Sequence, residues 1–153
     1  MSVKKETVKI KNPADVALIL KKWGRQKQEN FLTVTLNGAN EIIKVHHITK
    51  GLVNRTIVHP RECFHPAVKD YASSVIFAHN HPSGNVLPSA EDRSIADRLN
   101  KAGIILGFSV VDHIILSPEG YYYSFQKEGI ITGDYSSEEL KAFVAEIAGN
   151  KAI

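Results

Sequence analysis

Ser74-Val-Ile-Phe-Ala78 runs into His79-Asn-His81-Pro-Ser-Gly-Asn-Val-Leu-Pro88 and then Ser89-Ala-Glu-Asp92, and this stretch decides the fold. The continuous apolar run has the pattern of a strand buried on both faces. Pro82, Gly84 and Pro88 then break the chain into a short loop. Ser89 reads as a helix cap with acids in the first turn, and Ile95, Ala96, Leu99 and Ala102 before Gly103 predict a helix over about 90 to 102. A buried strand feeding directly into a helix points to a layered domain.

The flanks extend the alternation. Asn12-Pro13 is a helix start, and Val16, Leu18, Ile19, Leu20 and Trp23 carry that helix to Gly24. Phe31–Leu36 and Glu41–Ile48 read as strands of a hairpin joined through Asn37-Gly38. Arg55–His59 reads as extended and ends at Pro60, where Cys63, Phe64, Ala67, Val68 and Tyr71 predict a helix over about 60 to 71. Ile104–Leu106, Phe108–Leu116 and Gly120–Phe125 read as strands, with Ser117-Pro-Glu-Gly120 as a tight turn. Ser136 or Ser137 caps a terminal helix bearing Leu140, Phe143, Val144 and Ile147. With no repeat and no Pro, Gly or Ser-rich linker, residues 1–153 read as one α/β or α+β domain.

Composition narrows the class. With 43% hydrophobic and 23% charged residues, the chain has the make-up of an ordinary globular protein. The N-terminal residues lack the apolar run of a signal peptide, and no stretch approaches a membrane span, so a cytoplasmic protein without a membrane partner is expected. One cysteine, Cys63, excludes an internal disulfide. The net charge of +3 comes from scattered Lys and Arg, which read as solvated faces and only weakly as a nucleic-acid surface.

The chemistry concentrates at His79, His81 and Asp92. Residues two apart at a strand end point to one side, and the loop returns the chain so that Asp92 completes a three-ligand face. Two imidazoles and a carboxylate suit one Zn²⁺ whose fourth position holds water, the signature of catalytic sites. The alternative is that the histidines are turn polars and Asp92 complements the helix dipole. Water activation needs a carboxylate to carry protons, and Glu29, Glu41, Glu62 and Glu91 are all candidates by spacing. Ser89 is explained equally by capping and by catalysis.

Other polar residues read as structural or remain open. His46 and His47 face opposite sides of a strand and cannot share a metal. His59, Cys63 and His65 fit no zinc module, and Cys63 reads as a buried small hydrophobe. Asp112-His113 is either a partner orienting a ligand imidazole or a hydrogen bond within the sheet. Tyr121–Tyr123 read as core or cross-strand aromatics rather than a base-stacking platform.

The pattern His79-x-His81, seven residues, Ser89, two residues, Asp92 is the JAMM motif of MPN-domain metalloproteases. The wider text, with Ala78–Gly84, Pro88-Ser89, Glu91-Asp92 and Asp112–Ile115, closely resembles the bacterial RadC subfamily from about Gln28 to Ile131, including Gly51, His59–Glu62 and Tyr123–Phe125. The resemblance implies a deaminase-like MPN fold, a curved mixed sheet flanked by helices, with zinc on His79, His81 and Asp92. It implies Glu29 as the acid-base residue, Glu41 being left as a hairpin residue, and Ser89 as hydrogen bonding at the water or the developing oxyanion. It further implies a metallopeptidase acting on a peptide or protein substrate at peptide or isopeptide bonds. The alternatives are a nucleic-acid-associated accessory protein, after the family's DNA-repair label, and a metal-stabilised interaction module without turnover. Longer RadC proteins carry a helix-hairpin-helix-like segment ahead of this domain, which is expected to be missing here. The terminal helix lies outside the match and is read as a packing element or the seat of a homodimer.

Overall fold

The computed structural model describes residues 6–54, 56–130 and 134–149. The chain runs α1 (Pro13–Ile19), α2 (Lys21–Gly24), β1 (Asn30–Leu36), β2 (Ile42–Lys50), α3 (Pro60–Lys69), β3 (Ser74–Asn80), α4 (Ala90–Leu106), β4 (Ser109–Leu116), β5 (Tyr122–Ser124) and α5 (Ser137–Ile147). The strands form one mixed sheet in the order β2-β1-β3-β4-β5. β1 is antiparallel to β2 and β3, β3 is parallel to β4, and β5 returns antiparallel to β4. A parallel pair needs a crossover, and α4 is that crossover.

The two central strands are buried along their whole length. Alternation splits their side chains between two layers. On one face Phe31, Val75 and Phe77 pack beneath Phe64 of α3 and Leu99 of α4, with Phe64 edge-on to Phe77 at 5.4 Å. On the other, Leu32, Val34, Ile76 and Ala78 pack against Val16 and Leu20. The expected layered α/β fold, a mixed sheet flanked by helices, is therefore what the chain adopts.

Three expectations need correction. The first helix breaks at Leu20, whose backbone (φ −92°, ψ 12°) leaves the helical region before α2 starts. Residues 56–59 are not a strand: Asn54 Oδ1 accepts from the amides of Thr56 and Ile57 to close a turn, and His59 caps α3 with its Nδ1 accepting from Arg61 N. Arg55, Ile131 and Gly133 lie outside the described residues. Ile104–Leu106 is the last turn of α4, not a strand. Gly103 does not stop the helix but thins it, since a Cβ there would lie 2.8 Å from the Val110 side chain. The helix ends at Gly107, whose positive φ of 85° forms the left-handed cap. A capped helix already under way outweighs the strand preference of two adjacent isoleucines.

Asp112 and His113 resolve as sheet residues. Asp112 accepts from Ser124 Oγ at 2.5 Å, from Gln126 N at 3.0 Å and from His113 N at 2.7 Å, clamping β5 and its exit turn onto β4. His113 lies between the rings of Phe77 and Phe125, 5.3 and 5.5 Å away, with its Nε2 buried and unpartnered. Burial, with a smaller push from His79, lowers its pKa to about 3.

A Cβ on Gly24 would meet the Ser117 carbonyl oxygen at 2.6 Å, whereas one on Gly38 would meet nothing closer than Ser73 Oγ at 3.6 Å. Urea unfolding should show Gly24→Ala destabilised by about 1–3 kcal/mol and Gly38→Ala nearly neutral. For His113, the unfolded imidazole takes a proton below its ordinary pKa of 6.5 and the folded one only near 3. Stability from this residue is therefore complete above that ordinary value and is lost as pH falls toward the folded one. Over that window His113→Leu should flatten the pH dependence of unfolding by about 1.4 kcal/mol per pH unit. Parallel slopes would contradict the neutral, buried imidazole.

Candidate metal centre

The site forms where β3 ends and the chain crosses to α4, at the carboxyl ends of the parallel strands, the usual place for ligands in open α/β sheets. His79 faces the α4 layer, its ring stacked on Phe31 at 5.9 Å. His81 continues the β3 line, its amide donating to Leu116 O at 2.8 Å. Asp92 enters from the first turn of α4. Ser89 is the N-cap: its Oγ accepts from Asp92 N at 3.0 Å, and Asp92 Oδ2 accepts from Ser89 N at 2.9 Å. This reciprocal capping box fixes the carboxylate before any ligand is considered.

Three donor atoms converge. His79 Nε2 lies 3.1 Å from Asp92 Oδ1, His81 Nε2 lies 3.0 Å from Asp92 Oδ2, and the two Nε2 atoms are 3.2 Å apart. Among the described residues this is the group whose donors lie close enough together to hold one cation. Tetrahedral ligands about 2.0–2.1 Å from zinc sit about 3.3 Å apart, close to these separations.

Proton placement gives the fit a chemical basis. His81 Nδ1 is 2.6 Å from the Asn85 carbonyl oxygen, which can only accept, so Nδ1 carries a hydrogen. In the neutral ring Nε2 is then a bare lone pair aimed at a carboxylate oxygen and at a second imidazole. Such an arrangement demands positive charge at its centre, and a backbone carbonyl that sets the tautomer of a ligand histidine is a common metal-site device. The same demand appears in the acidities. The Asp92 hydrogen bond, opposed by burial, raises the His81 pKa. Burial works against charge on Asp92, yet the two imidazoles outweigh it and hold its carboxyl well below the ordinary range. His79, His81 and Asp92 therefore fit a divalent metal.

The neighbourhood separates the four glutamates. A cleft of about 580 Å³ is lined by Glu29, Val53, His81, Ser89, Glu91 and Asp92. Glu29 lies just before β1, its Oε2 accepting from Val53 N at 2.8 Å and its carbonyl accepting from Gly51 N at 2.8 Å. Glu41 borders the opposite end of β1, about 20 Å away at about 3.3 Å per residue. Glu62 lines a different cleft with His46 and His65. Position alone thus leaves Glu29 and Glu91 beside the centre.

His46 binds Asp70 while His47 stacks on Trp23, on opposite faces of β2. Cys63 is fully buried, and burial pushes its thiol far above the ordinary range. Sequence reasoning missed Asn85 and Val53. Both act through main-chain atoms, which leave no mark in side-chain identity.

Residues 10–130 match the model of the RadC-like JAB domain. The chain is 50% identical over 105 residues to a UPF0758 protein of Trichlorobacter lovleyi, covering 69% of this chain and 45% of that protein. It is 44% identical over 123 residues to a UPF0758 protein of Rubrobacter xylanophilus, covering 80% and 53%. A UPF0758 protein of Methanosarcina mazei is 42% identical over 124 residues, covering 80% and 54%. The chain spans about half the length of the curated relatives it matches. No helix among the described residues is long and apolar enough to cross a membrane. With its fold, its His-His-Asp cluster and a family match across most of its length, this chain belongs to the RadC-like JAB domain family.

Proposed function

We propose that this domain is a zinc-dependent hydrolase of the metallopeptidase type, acting on peptide or isopeptide bonds. The observation that carries the reading is the convergence of two imidazoles and a carboxylate beside a cleft shared with Glu29 and Ser89. His79, His81 and Asp92 would hold the metal. When bound, zinc is a Lewis acid that makes water nucleophilic near neutral pH and polarises a carbonyl.

The chain's own groups divide the remaining work. The Val53 amide occupies Glu29 Oε2, which leaves Oε1 to take a proton from the attacking water and return it to the leaving amine. The Ser89 oxygen spends a lone pair on Asp92 N, so its O–H is the part left to donate into the cleft, to a developing oxyanion. Capping and catalysis do not compete for the same atom. The open cleft suits an extended chain better than an enclosed small molecule.

Glu29→Gln should keep one zinc per chain by elemental analysis yet lose about 10²–10⁴ in hydrolysis of any peptide or isopeptide substrate found by library screening. Undiminished hydrolysis by that variant would overturn the reading.

A further inference from the structure

Between the two ligand histidines stands Asn80, whose side chain passes to the opposite layer of the sheet and is 1% exposed. Its carboxamide is committed to the main chain of one segment. Oδ1 accepts from Asn30 N at 2.7 Å, while Nδ2 donates to Gln28 O at 2.9 Å and Gln26 O at 3.2 Å. That segment joins α2 to β1, and Glu29 is its last residue before Asn30. The paired register of β1 with β3 stops at Phe31 and His79, so the Asn80 side chain takes over where the ladder ends.

The clamp is itself braced. Asn30 Nδ2 donates to Gln28 O at 3.0 Å, and Asn30 Oδ1 lies 2.8 Å from His47 Nε2, whose ring stacks on Trp23. Asn80 therefore holds the residue before Glu29 and the residue after it. With both neighbours tied, the direction of the Glu29 Cα–Cβ bond is set, and the Val53 amide then orients the carboxylate.

We propose that Asn80 is a positioning residue that sets the Glu29 carboxylate against the metal centre. The tripeptide His79-Asn80-His81 then builds both parts of the site, with ligands on one face of the strand and the seat of the proton carrier on the other. This inference rests on the hydrolase reading, in which Glu29 acts beside the metal.

The test uses the full chain without a His tag, loaded with cobalt(II), and follows the visible absorption bands with pH. Glu29→Gln should move the midpoint by about one pH unit. Asn80→Ala, still binding one cobalt per chain, should move it the same way, and the double variant should move it no further. In ¹⁵N–¹H spectra the Val53 amide resonance of Asn80→Ala should shift toward its position in Glu29→Gln. A purely structural Asn80 would lower stability and leave both readouts in place. If Asn80→Ala does not fold, Asn80→Ser is held to the same criteria. A midpoint that responds to Glu29→Gln but not to the Asn80 variant overturns the inference alone, as do additive shifts in the double variant. A midpoint indifferent to Glu29→Gln overturns the hydrolase reading and the inference with it.

Discussion

One carboxylate ties the site to the fold. Asp92 closes the N-cap of α4 through Ser89 and presents its two oxygens to two imidazoles. The positive end of the helix dipole and the capping hydrogen bonds support the charge there. The helix is also the crossover that makes β3 and β4 parallel, so the element required by the topology is the one that delivers the carboxylate of the His-His-Asp cluster. Removing the Asp92 side chain would leave the Ser89 cap on the residue 92 amide but lose the reciprocal half of the capping box, the bond from Ser89 N, together with the carboxylate of the His-His-Asp cluster. Stability and site geometry are coupled at this residue.

The buried alternation of β3 is the second constraint. Phe77 and His79 face one layer, while Ile76, Ala78 and Asn80 face the other. A register slip of one residue would exchange the two sets, moving Phe77 out of its aromatic cluster and His79 away from Asp92. The hydrophobic pattern that secures the core thereby secures the placement of His79 beside Asp92, and Asn80, between His79 and His81, reaches the segment that carries Glu29.

Much of this was legible in the sequence because it rests on local signals. The strand before His79, the cap at Ser89 and the spacing of His79, His81 and Asp92 each follow from residue identity and periodicity. Local signals mislead where tertiary context or longer-range capping decides. Gly103 resembles a helix stop, but it is the close approach of Val110 that uses the glycine, and Gly107 does the capping. Arg55–His59 is β-rich by composition, yet an Asn54 turn and the His59 cap claim the described part of it. Local reading could not separate Glu29 from Glu41, since it is the path from α2 to β1 and the turn at Gly51 that bring Glu29 and not Glu41 to the cleft, which Glu91 also lines. Nor could residue types reveal the Asn85 carbonyl that sets the His81 tautomer.

The central claim concerns the atoms around the metal, and X-ray absorption at the zinc edge of the tag-free, zinc-loaded protein addresses them directly. A first shell of four nitrogen and oxygen neighbours at about 2.0–2.1 Å, with the outer-shell scattering of two imidazoles, is the predicted result. Loss of one imidazole's contribution in His81→Ala would assign that ring. A sulfur neighbour at about 2.3 Å, or a spectrum unchanged by His81→Ala, would contradict the account.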